Sequence, residues 1–133
     1  MENTDNLKKL TRAEDEVMQI LWKLDKGVVK DVIAEMPAPK PAYNTVSTII
    51  RILERKGFVS HKAYGKTYEY FPLITKAEYS NFYLKSFMGS YFGGSFRKLV
   101  SFFVNENDID SGEMQELMNY VKDKDKTPEK GNE

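Results

Sequence analysis

Apolar residues fall at Val17, Met18, Leu21 and Leu24, the spacing of one helical face, and predict a first helix over residues 10–24. Thr11-x-x-Glu14 opens it as a capping box, in which each side chain satisfies the other residue's backbone N–H. Asp25-Lys26-Gly27 closes it, with Gly27 expected in the left-handed conformation. Val28, Val32, Ile33 and Met36 give a second helix, about 28–36, which Pro37, Pro39 and Pro41 forbid from continuing. A third, about 43–56, buries Val46, Ile49, Ile50 and Leu53 and ends at Gly57. Three short helices with tight breaks make a helix-turn-helix core, with Trp22 beside the first stripe.

The period then changes. Residues 58–63 and 67–73 are rich in β-branched and aromatic side chains and predict two strands joined through Tyr64-Gly65-Lys66. Three helices followed by a hairpin are a winged-helix arrangement. Thr75-x-x-Glu78 repeats the capping-box spelling before a helix over 76–92, crowded with Tyr79, Phe82, Tyr83, Phe87, Tyr91 and Phe92. Gly93-Gly94 breaks it, Ser95 caps a helix over about 96–105, and Ser111 is expected to cap the last, about 112–123. The fold expected is mainly α with a small β-hairpin: a winged-helix DNA-binding domain over 1–74, a helical dimerisation domain over 75–123, and a polar, disordered tail over 124–133.

Composition narrows the function. The 133 residues contain no cysteine and one histidine, His61, which removes thiolate and two-histidine metal sites and most histidine-centred triads. The expectation is a protein that is not an enzyme and carries no metal or cofactor. No stretch is apolar enough to insert in a membrane, and residues 1–10 lack the apolar core of a secretory signal, so a cytoplasmic protein is expected.

The net charge of zero hides an asymmetry. Residues 1–74 hold 12 Lys/Arg against 10 Asp/Glu, and residues 75–133 hold 8 against 10. Lys40, Arg51, Arg55, Lys56, Lys62 and Lys66 face one acid, Glu54, within 40–68, a net of +5 that would meet a polyanion.

The third helix displays Thr45, Thr48, Arg51 and Arg55 opposite its apolar stripe, with Asn44 at its start. On an isolated helix this would be a solvated face. As the third helix of a helix-turn-helix it is the element that enters a major groove, where small hydroxyl residues allow close approach and an arginine fork reaches guanine or phosphate. Lys62 and Lys66 near the hairpin tip either protect an edge strand or contact phosphate as a wing. His61 has no partner at any ligand or triad spacing and reads as a strand residue. The aromatics of 79–103 are too many for a short helix to bury, which marks a protein interface. Tyr79, Phe82, Tyr83, Phe87, Phe102, Phe103 and Leu117 are the candidates for a homodimer contact. Two readings follow from the residues: a DNA-binding repressor, or a winged-helix adaptor that binds only protein. The basic segment favours DNA.

In order along the chain, Leu10-Thr11-x-Ala13-Glu14-x-Glu16-Val17-Met18 with Trp22, Thr45-Val46-x-Thr48 with Arg51-x-Leu53 and Lys56-Gly57, Gly65-Lys66 with Tyr70 and Pro72, and Ser111-Gly112-Glu113 resemble the penicillinase repressor family. That resemblance implies a homodimeric winged-helix repressor on a two-fold symmetric double-stranded operator, with Thr45, Thr48 and Arg51 on the DNA. In several members a membrane-bound sensor peptidase triggers cleavage of an Asn-Phe bond. That bond falls near Phe102-Phe103, where this chain lacks the asparagine. The copper-responsive branch carries a cysteine-rich C-terminus, which is absent here, so copper sensing of that kind is not expected.

Overall fold

A computed structural model describes residues 7–126. The elements in chain order are α1 (Arg12–Leu24), α2 (Val29–Ala34), α3 (Tyr43–Arg55), β1 (Val59–Tyr64), β2 (Thr67–Pro72), α4 (Lys76–Phe92), α5 (Phe96–Glu106) and α6 (Ser111–Lys126). The chain divides into two compact units, Met1–Phe82 and Tyr83–Glu133, with α4 running from one into the other.

The first unit is a helix-turn-helix with a hairpin. Val17, Met18 and Leu21 of α1, Val32 of α2 and Val46, Ile50 and Leu53 of α3 are buried together with Phe58 and Val59. The chain can turn from α3 straight into β1 because Gly57 adopts φ +87, where nothing stands within 4 Å of a built Cβ. The Phe58 N–H then reaches the Leu53 carbonyl (2.9 Å) and the Gly57 N–H that of Glu54 (3.0 Å), the paired bonds of a Schellman motif. The motif turns Phe58 directly into the core.

The strands pair antiparallel from Val59↔Pro72 to Tyr64↔Thr67. Gly65 and Lys66 form a two-residue turn, and Gly65 takes the positive φ (+66) that the first position of a type II′ turn requires. A two-stranded hairpin is marginal alone. Here a bridge supports it: the Gly27 N–H donates to the Tyr70 carbonyl (2.9 Å) and the Tyr70 N–H to the Gly27 carbonyl (2.8 Å).

That bridge explains one departure from the sequence reading. The left-handed residue after α1 is Asp25 (φ 74), not Gly27. Gly27 is buried, and a Cβ there would stand 3.2 Å from the Asp31 Cβ, so glycine serves close approach to α2. The last helix also starts differently. Asp110, not Ser111, caps it: Asp110 Oδ1 accepts from the Glu113 N–H (2.9 Å) and Glu113 Oε1 from the Asp110 N–H (3.2 Å), with Ser111 as the first helical residue. The Thr11, Thr75 and Ser95 caps stand as expected. Of the expected tail, residues 124–126 belong to α6 and 127–133 lie outside the described residues.

The second unit has a different character. Among its described residues no apolar side chain is buried. Leu99, Val100, Phe103, Val104, Ile109, Met114 and Leu117 line an open apolar groove of about 510 Å³ between α5 and α6.

Candidate nucleic-acid interface

Residues four, three and four apart fall on one side of a helix. Asn44, Thr48, Arg51 and Arg55 have that spacing, and all four are exposed on the face of α3 opposite Val46, Ile50 and Leu53. Thr45 is exposed on the flank of that stripe. Arg51 and Arg55 make no salt bridge among the described residues, so their guanidinium donors face solvent.

The opposite flank of α3 faces the hairpin. Glu54 Oε2 lies 2.7 Å from His61 Nδ1 of β1. The His61 ring stacks on Tyr68 (centroids 4.1 Å apart, planes at 11°) and meets Tyr70 edge-on at 5.6 Å. Burial, reinforced by the Glu54 charge, pushes the Tyr70 phenol above its ordinary value. The spacing along the sequence hid this partner of His61, because it lies seven residues back across a turn.

Strand alternation sorts the basic residues of the hairpin. His61 faces α3, so Lys62 points to the other side, with its Nζ 5.5 Å from the Tyr64 ring centroid. The structure therefore does not bring Lys62 together with the arginine stripe. Lys66 is exposed at the tip. Lys40, counted with the basic segment, is engaged elsewhere: its Nζ donates to the carbonyls of Ile33 (3.2 Å), Ala34 (3.0 Å) and Met36, closing the C-terminal end of α2.

Two exposed aromatics, which no motif marks, lie on the same two elements. Tyr43 stands at the first turn of α3 and is 51% exposed, and Tyr68 on the hairpin is 45% exposed. A tyrosine beside asparagine at the start of the third helix was the available signal for the first.

The expected dimer residues separate into two groups. Tyr79 is only 7% exposed: its ring packs against Phe58 (5.8 Å) and Trp22 (6.0 Å), and its hydroxyl accepts from the Leu10 N–H (2.8 Å). Phe82 packs partly buried beside it. Both serve the core of the first unit, and Trp22 Nε1–H holds the connection by donating to the Ile74 carbonyl (2.8 Å). Tyr83, Phe87, Phe102, Phe103 and Leu117 lie in the second unit and are exposed.

A helix that buries one stripe and presents a polar, cationic one, beside a hairpin with a lysine at its tip, defines a winged-helix DNA-binding protein. The penicillinase repressor profile matches residues 10–123, and the chain belongs to that family. It is similar to the methicillin resistance regulatory protein MecI of Staphylococcus aureus (strain N315), with 30% identity over 117 residues, 87% of this chain and 95% of the relative. It is also similar to the penicillinase repressor of Bacillus licheniformis, with 26% identity covering 82% of this chain and 86% of that one. The solution structure of the DNA binding domain of the repressor BlaI is 28% identical over 59% of this chain and 94% of that one, at a TM-score of 0.49. The chain is a DNA-binding transcriptional repressor and not an enzyme.

Proposed function

We propose that the protein represses transcription as a homodimer on a two-fold symmetric operator, each copy reading one half-site. Asn44, Thr48 and Arg51, flanked by Thr45, meet base edges in the major groove. Arg55 and Lys66 meet phosphate on either side. The observation that carries this reading is the α3 stripe, which is exposed along its whole length while the other face of the same helix is fully buried. Repression takes place where the DNA is, and a cytoplasmic location comes with the reading. Among the described residues no helix is long and apolar enough to cross a membrane.

The second unit supports the dimer. A unit of this size that buries no apolar side chain among its described residues gains too little from solvent exclusion to stand uncovered. Tyr83, Phe87, Phe102, Phe103 and Leu117 supply the surface that a second copy would cover, and two copies satisfy the requirement for two half-sites together. Titration of the promoter region upstream of the chain's own gene, with light scattering on the same sample, tests both parts. A symmetric footprint and a dimer mass are expected. Equal affinity for promoter and random DNA would leave the adaptor reading in its place.

A further inference from the structure

The geometry points to the Glu54–His61 pair as the clamp that sets the hairpin at one angle to α3, so that Lys66 reaches phosphate while Arg51 reads a base; this rests on the DNA reading proposed above. Glu54 is an acid on a helix that presents arginines to a polyanion, and an unpartnered carboxylate there would repel phosphate. It is not unpartnered. An ionised carboxylate only accepts, so the 2.7 Å contact assigns the Nδ1 proton to His61 whether or not the ring is charged. The ring that donates is held from two further sides, stacked on Tyr68 and edge-on to Tyr70. Tyr70 is tied by its backbone to Gly27, in the connection between α1 and α2.

Between Glu54 and His61 the chain passes through Gly57, whose positive φ is the pivot on which the hairpin turns away from α3. The pair closes a small ring across that pivot. Without it, the hairpin is held at its base by the packing of Phe58 and Val59 and by the Gly27–Tyr70 backbone bridge, and the tip beyond that bridge would sweep an arc for a small rotation about it. Glu54 and His61 are therefore positioning residues. They act on DNA through Lys66.

The experiment is a double-mutant cycle in the full chain, read by operator titration over a range of salt. His61→Phe keeps a flat ring against Tyr68 but cannot donate to Glu54. It should weaken operator binding, lower the salt slope by about 1.8 as one phosphate contact is lost from each of the two copies, and make Lys66→Ala nearly silent in its background. Glu54→Gln keeps an acceptor oxygen and should leave Lys66→Ala as costly as in the wild type. Glu54→Ala should uncouple Lys66 as His61→Phe does, and covers the case in which the phenylalanine variant folds poorly by circular dichroism. A Lys66→Ala effect of equal size in wild-type, His61→Phe and Glu54→Ala backgrounds overturns the clamp while leaving the wing contact intact. A Lys66→Ala change that is silent in the wild type removes the wing contact itself, and the clamp with it.

Discussion

The Lys56 ammonium stands 2.9 Å from both carboxylate oxygens of Glu14, a residue 42 positions earlier in the chain. Glu14 also accepts the Thr11 N–H at 3.0 Å, so one nearly buried carboxylate closes the start of α1 and ties it to the end of α3. Burial pushes this carboxyl up, but the Thr11 N–H, the Lys56 hydrogen bond and the Lys56 charge together pull it below its ordinary value.

Glu14→Gln should therefore destabilise the protein by about 1.5–3 kcal/mol at neutral pH, as for hydrogen bonds to a charged group. The folded-state value is depressed, so the contribution is complete above the ordinary glutamate value of about 4.3 and is lost as pH falls through the lowered value. Urea midpoints of wild type and variant should differ at neutral pH and converge as the pH falls below the ordinary glutamate value and through the lowered one. A gap that persists in acid would mean that the charge of Glu14 is not what stabilises.

Arg51→Ala should cost about 1–3 kcal/mol of operator affinity per half-site and relax the preference at one base pair in each. Competition among operators varied one base at a time measures this. Uniform weakening on all sequences would make Arg51 a phosphate contact.

Lys66 and Lys40 give a contrast within one charge segment. Lys66→Ala should reduce the salt slope of operator binding by about 1.8, one phosphate contact from each copy of the dimer. Lys40→Ala should leave that slope unchanged and instead lower stability by about 0.5–1.5 kcal/mol, since its ammonium caps α2. A slope that moved with Lys40 would contradict its placement.

A fragment ending at Phe82 keeps Tyr79 over Phe58 and Trp22, and the Trp22–Ile74 bond with it. It should fold, remain monomeric, and bind operator at least ~100-fold more weakly than the full chain, because the second half-site is no longer engaged intramolecularly. A fragment ending at Leu73 loses Tyr79 and should melt at a lower temperature. Light scattering, thermal melts and titration at one salt concentration distinguish these outcomes. A full chain that is monomeric at micromolar concentration would remove the dimer.

What the chain revealed in advance was local. Thr11 and Glu14, Thr75 and Glu78, and Ser95 are caps whose partners lie within one helical turn, and each formed as spelled. Gly57 ends α3 for the same reason. The exposed stripe of α3 was legible because helical spacing separates it from the buried one. Contacts between distant segments were not. Tyr79 resembled its aromatic neighbours on α4 until the core supplied Phe58 and Trp22, and no pattern within α3 or β1 alone pairs Glu54 with His61. Gly27 had two uses open to a glycine, and it serves close contact with Asp31 of α2 and not a left-handed turn, which Asp25 makes.

The Gly27–Tyr70 bridge divides the hairpin into a part that is anchored and a part that is adjustable. A slip of β2 by one residue would break both backbone bonds and exchange the buried Tyr70 ring for Glu69, so the register below the bridge admits one solution. Above it, nothing but the Gly65-Lys66 turn sets how far the strands run. Residues added in pairs at that turn would lengthen the hairpin without disturbing its base or turning any side chain to the wrong face. The length of this arm can thus be retuned independently of α3, the helix proposed to read the bases.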